Sequence, residues 1–144
     1  MRGRVLLLGG EDVHARIPLA GELGRIGFEV AIAGSEDPGV FTAAGISYRR
    51  LPLSRGMSPF ADVSFARELG SMLRTTATDV VHAFDTKPGI LAPLAVGRAE
   101  RLRCVRTITG MGYLFSTMSW RTAPLRAVYR RFQKMAAERA FTVF

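Results

Sequence analysis

Lys87 stands in a polar break, Asp85-Thr86-Lys87, directly behind the apolar run Val80 to Phe84. A run that short and that β-branched reads as a buried strand, and the loop at a strand's carboxyl end is where open α/β sheets keep their binding residues. Gly9-Gly10 occupies the same kind of place behind Arg4-Val-Leu-Leu-Leu. Glycines there let the backbone approach a ligand or turn sharply into a helix. Thr109-Gly-Met-Gly-Tyr-Leu-Phe follows a third apolar run, Cys104-Val-Arg-Thr-Ile. Its Gly110 and Gly112 make a close-approach loop, and Tyr113 and Phe115 offer flat faces that serve either sugar stacking or packing. His14 and Arg16 fall at the start of a helix, a place where such residues are ordinarily solvated.

The elements that must position these residues follow from periodicity. After the first strand, Leu19, Leu23 and Ile26 space out a helix that Gly27 ends. Phe28-Glu-Val-Ala-Ile-Ala is a second strand closed by Gly34, Pro38 to Ala44 a short helix, and Ile46 to Leu51 a third strand. Ser58 and Pro59 open a helix carrying Phe65, Leu69, Met72 and Leu73 on one side. Pro88 suits the first turn of the helix behind Lys87, with Leu91, Leu94 and Ala95 at helical spacing. A long helix begins at Pro124, with Leu125, Val128, Tyr129, Phe132 and Ala136 expected to pack on the sheet. Phe141-Thr-Val-Phe144 looks like a sixth strand as it begins, which suggests that something should follow. Strands alternating with helices predict an α/β fold: a single Rossmann-like, doubly wound, mostly parallel sheet with right-handed crossovers. The dinucleotide fingerprint G-x-G-x-x-G is not present, so no nucleotide cofactor is expected from it.

Composition narrows the classes further. The chain has 144 residues, enough for one domain with a real core, and a formal net charge of +8. Lys87 and Lys134 are its lysines, so the surplus is arginine. Such a balance favours a polyanionic neighbour: anionic lipid headgroups, nucleic acid or a phosphorylated substrate. Nucleic acid is the weakest of the three, because no helix-turn-helix, RNP or zinc pattern occurs. Arg126, Arg130 and Lys134 form a row on the last helix, with Arg121, Arg131 and Arg139 near, and a basic amphipathic helix over 124–139 points to an anionic membrane surface. No apolar run is long enough to cross a bilayer, and Val5 to Leu8 is too short for a signal peptide, so cytoplasmic residence is the default expectation. Cys104 alone builds neither a disulfide nor a metal cluster, and reads as a small core residue.

With these loops in place, the sequence resembles the amino-terminal half of bacterial family 4 glycosyltransferases, the retaining enzymes made of two Rossmann-like domains (the GT-B fold). Val13-His-Ala-Arg-Ile-Pro-Leu resembles the family's His-Phe-Arg-x-Pro-Leu opening of the first helix. Leu53-Ser-Arg-Gly-Met-Ser-Pro-Phe resembles its Arg…Asn-Pro turn, and Asp79-Val-Val-His through Lys87-Pro88 its Pro-Asp-Val-Val-His…Lys-Pro segment. Thr107-Ile-Thr-Gly-Met-Gly-Tyr-Leu-Phe is the most specific piece, similar to the Val-Thr-Gly-Leu-Gly-Tyr-x-Phe of members that extend lipid-linked sugars.

The resemblance implies that residues 1–144 are the acceptor-binding domain of an enzyme whose nucleotide-sugar donor site lies in a carboxyl-terminal domain absent here. Gly9 and Gly10 then approach the donor's pyrophosphate and sugar, while His14, Arg16, Arg55 and Lys87 line the cleft toward the acceptor's phosphates. Arg forks suit phosphate bidentately and Lys supplies a point charge. Thr109, Gly110 and Tyr113 complete the expected substrate-binding set. Many relatives carry a His where this chain has Thr109, so no catalytic residue is carried over, and Ser58 stands where Asn is commoner. The implied function is sugar transfer from a nucleotide-sugar to a polyprenyl-pyrophosphate-linked glycan in surface polysaccharide or glycan synthesis, on the inner face of the membrane. The competing reading is a non-catalytic acceptor- or membrane-binding module that pairs with a separate donor-binding chain.

Overall fold

A computed structural model of the chain describes residues 3–53, 58–96, 103–108 and 123–143. Six strands alternate with helices: β1 (Arg4–Leu8), a 3-10 turn (Val13–Arg16), α1 (Ile17–Arg25), β2 (Glu29–Gly34), α2 (Gly39–Ala43), β3 (Ser47–Arg50), α3 (Pro59–Thr75), β4 (Val80–Phe84), α4 (Thr86–Val96), β5 (Arg103–Thr107), α5 (Ala123–Ala137) and β6 (Phe141–Val143). They form one sheet in the order β3-β2-β1-β4-β5-β6. Every neighbouring pair is parallel, from Val5 beside Val30 and Val80 to Val105 beside Phe141. The sheet is therefore the doubly wound one expected. Its strand order reverses between β1 and β4, and ligands of such sheets bind outside the carboxyl ends at that switch point.

Period-two alternation sorts the strand side chains onto two faces. Leu6, Leu8, Ala33, Val81, Ala83 and Cys104 meet Phe65, Leu69, Met72 and Leu73 of α3 and Ala92 of α4. Val5, Leu7, Ile32 and Phe84 meet Val13, Ala20 and Phe41 on the opposite face. Burying each of the larger side chains contributes about 1.5–3 kcal/mol, so α3 is held chiefly by Phe65 and Leu69, both fully buried. Cys104 is buried among them, and burial pushes its thiol up to about 12, which makes it a core residue and no nucleophile. Gly27 closes α1 at φ 98°, where a side chain would be strained, and lets the Phe28 N–H reach the Leu23 carbonyl at 3.1 Å.

Two helices present faces other than those read from the pattern. On α1 the residues turned to the sheet are Ile17, Ala20 and Leu23, whereas Leu19 and Ile26 are exposed. The preceding 3-10 turn buries Val13 and fixes the phase, so Ala20, small enough to lie close to the strands, takes the inner position. On α5, Ala136 is buried and Tyr129 and Gln133 are half-buried, while Val128 and Phe132 are 50% and 43% exposed. The reason is a polar anchor. Arg106 of β5 is buried at 3% exposure, and its guanidinium donates to the Gln133 side-chain oxygen, whose amide donates to Tyr129 Oη at 2.7 Å. A buried cation needs such acceptors, and meeting them turns Val128 and Phe132 outward. Leu125's side chain lies outside the described residues.

Candidate functional site

The carboxyl-end rim at the switch point is assembled from the turn after β1, the end of β2 and the start of α4. Gly9 and Gly10 have different reasons to be glycine. Gly9 is buried, and a Cβ there would lie 2.7 Å from Val13 Cγ2 and 2.8 Å from Val13 Cβ. Gly34, across on β2, is pressed by the same side chain at 2.6 Å and by the Gly10 carbonyl at 3.0 Å. Val13 is thus clamped between two glycines, and this contact sets the 3-10 turn on the strand ends. Gly10 has room: a Cβ would meet only Leu53 at 3.8 Å and the Asp85 carboxylate at 3.9 Å. Its backbone is partly exposed on the rim.

His14 and Arg16 leave the turn in different directions. The His14 backbone N–H donates to Glu36 Oε2 at 3.1 Å, and His14 Nδ1 lies 2.9 Å from Glu36 Oε1. The hydrogen bond and charge of Glu36 raise the imidazole above its ordinary value, with a smaller push from Asp12. Arg16 instead reaches toward β4, its guanidinium carbon 4.3 Å above the centre of the Phe84 ring, a cation–π geometry. Beyond Phe84 the row continues: the His82 ring stacks on it at 4.1 Å, and His82 Nε2 is 2.8 Å from Thr107 Oγ1. Burial, helped by the Arg16 charge, lowers the His82 pKa.

Lys87 lies in the first turn of α4, and its Nζ is 2.6 Å from Asp62 Oδ1 on α3. Both side chains are about a quarter exposed, at 22% and 24%. The pair ties the first turns of two helices together at the rim. Asp85, between strand and helix, has φ 69°, a left-handed conformation that Asp tolerates better than most residues, and its carbonyl takes the Gly89 N–H at 3.0 Å. Held backbone of this kind gathers at binding rims.

Gly10, His14, Arg16 and Lys87 therefore all stand at the carboxyl ends of β1, β2 and β4. Arg55, Thr109, Gly110 and Tyr113 lie outside the described residues. Glu36, Asp62 and Phe84 are partners that sequence reasoning missed. Each is far along the chain from the residue it holds, and the one available signal was an acidic residue just past a strand end (Glu36) or in a helix's first turn (Asp62). A recess of about 370 Å³ exists elsewhere, at the opposite ends of β1–β3, lined by Arg4, Glu29, Ser47, Arg49 and Met72.

The family model described as glycosyl transferase 4-like domain matches residues 15–144. A search of curated protein sequences gives no match. Among solved structures, MurG of Acinetobacter baumannii superposes with a TM-score of 0.58 at 14% identity, covering 74% of this chain and 34% of its own. The glycosyltransferase SnogD of Streptomyces nogalater gives 0.51 at 23% identity, over 90% of this chain and 39% of its own. UDP-GlcNAc 2-epimerase of Neisseria meningitidis, bound to UDP-GlcNAc, gives 0.59 at 16% identity, over 92% and 38%. The chain thus spans between a third and two fifths of the length of these structures, and the likeness establishes the fold that they share. With the family model covering nearly the whole chain, the protein belongs to the glycosyl transferase 4-like family, on the Rossmann-like fold of GT-B glycosyltransferases.

Proposed function

We propose that the chain is the acceptor-binding half of a retaining glycosyltransferase that moves a sugar from a nucleotide-sugar to a polyprenyl-pyrophosphate-linked glycan in surface polysaccharide or glycan synthesis. One observation carries this reading: His14, Arg16 and Lys87, with the Gly10 backbone, share the switch-point rim of a glycosyl transferase 4-like domain. Two cations and an imidazole beside a partly exposed backbone suit a diphosphate, which Arg grips as a fork and Lys as a point charge. In retaining transfer, charge separates at the anomeric carbon and the leaving phosphate needs fixed positive groups. A donor-binding second domain supplies most of those in this reading, with the present rim facing the acceptor. The enzyme works peripherally on the inner face of the membrane, attached by α5. Among the described residues no helix is long and apolar enough to cross a membrane.

The test is binding of a short, soluble polyprenyl pyrophosphate to the 144-residue chain, followed by calorimetry. Arg16→Gln and Lys87→Ala are each expected to weaken it roughly tenfold, as loss of a charge-assisted hydrogen bond of about 1.5 kcal/mol would. The fold should persist, because a change at a partly exposed ion pair moves stability by about 1 kcal/mol or less. Binding unchanged in both variants moves the acceptor site off this rim.

A further inference from the structure

Glu36 has a more confined setting than the residue it holds. Its side chain is 12% exposed against 56% for His14, and both carboxylate oxygens are spent on His14, one on the backbone N–H and one on Nδ1. Glu36 is anchored from the core in turn. Its carbonyl accepts the Tyr48 hydroxyl at 3.0 Å, and Tyr48 stacks on the fully buried Phe41 with centroids 3.9 Å apart and planes 3° from parallel. A chain of fixed contacts therefore runs from the core through Tyr48 and Glu36 to the imidazole. With Nδ1 committed to the carboxylate, Nε2 on the far edge of the exposed ring has no partner among the described residues.

We infer that Glu36 is the positioning residue of the rim, holding His14 as an imidazolium whose Nε2–H donates to a phosphate oxygen of the acceptor. This rests on the acceptor-phosphate reading above. A second carboxylate, Asp12, precedes the turn and adds to the same polarity, with Glu11 before it and Asp37 beyond Glu36. Arg16, in the same turn, is the one cation close in sequence. On the elements packed against the turn, the charges are already matched away from the ring: Glu29 of β2 with Arg4, and Glu22 with Arg25 on α1. The surroundings therefore favour a proton on the ring. The alternative use of the same geometry is a neutral ring whose Nε2 lone pair takes a proton from an acceptor hydroxyl. The two differ in the sign of their pH dependence.

The chain has two histidines, so the imidazole carbon-bound protons of His14 and His82 can be followed separately by NMR, with inorganic pyrophosphate as the probe. Pyrophosphate should move the His14 titration upward by more than that of His82, which feels the ligand only through Arg16, and bind more weakly as pH rises through the His14 midpoint. Glu36→Gln should lower that midpoint and weaken pyrophosphate roughly two- to fivefold near neutral pH, the range of an exposed ion pair. The difference should close under acidic conditions, where the ring is protonated without help; a merely structural Glu36 would not give that recovery. His14→Gln supplies the baseline for pyrophosphate's own titration. Binding that leaves the His14 signals unmoved overturns the inference while the rim reading stands. Affinity that climbs with pH above the His14→Gln baseline also overturns it, in favour of the base. No pyrophosphate binding at all overturns both.

Discussion

Val13 organises the rim although it has no chemistry of its own. It is 1% exposed and lies against the positions that Cβ atoms of Gly9 and Gly34 would take, at 2.7 Å and 2.6 Å. Gly9→Ala should therefore cost about 1–3 kcal/mol, as overpacking of a filled core does, and Val13→Ala should recover part of that loss when combined with it. Gly10→Ala meets only ordinary contacts, so it should leave the melting transition nearly unchanged and instead weaken diphosphate binding, because a methyl then stands where the backbone would approach. Thermal melts and calorimetry on the four variants decide it. Equal destabilisation by Gly9→Ala and Gly10→Ala would remove the distinction between a packing glycine and a binding one. The sequence located both glycines at the right strand end but could not separate their reasons, since Gly34 and Val13 meet only through the β1–β2 pairing. The same limit hid Glu36 behind His14 and Asp62 behind Lys87: cation positions follow local punctuation, whereas their partners depend on which strand ends and helix starts become neighbours.

The elements themselves were legible almost throughout, because parallel strands buried on both faces appear as apolar runs and helices as spaced ones. The faces of α1 and α5 were not. On α5 the apolar stripe alone predicted that Val128 and Phe132 pack, and the buried Arg106 reversed this by drawing Gln133 and Tyr129 inward. The outer face consequently mixes Arg130, Arg131 and Lys134, all exposed, and the partly exposed Arg126 with two apolar side chains. Each basic residue near an anionic leaflet contributes about 1 kcal/mol, so the proposed attachment through α5, if it occurs, is chiefly electrostatic. Co-sedimentation with anionic vesicles should fall steeply as the Debye length contracts to about 3 Å in 1 M salt. Replacing Arg126, Arg130, Arg131 and Lys134 by Gln should have the same effect at low salt. A small residue of binding at high salt should be removed by Val128→Ser with Phe132→Ser. Equal binding to neutral and anionic lipid, or indifference to the four Gln substitutions, would exclude α5 as the membrane contact.

At the scale of the whole molecule, one parallel sheet presents one rim. Among the described residues, two basic side chains on that rim already have carboxylates, Lys87 with Asp62 and His14 with Glu36. A leaving nucleoside diphosphate needs several fixed positive groups closing on it from more than one side, in a setting from which water is excluded. The chain also spans only 34% of MurG and 39% of SnogD. The 144 residues alone should therefore bind pyrophosphate at the rim yet give no acceptor-dependent product from a panel of UDP- and GDP-sugars with a lipid-linked acceptor. Adding a separately produced donor-binding domain in trans is the complementary arm, and product appearing only then places the transfer between two walls. Product from the 144 residues by themselves, abolished by Lys87→Ala, would show instead that a single Rossmann-like domain carries the whole reaction, and the assignment of this chain to the acceptor side would be lost.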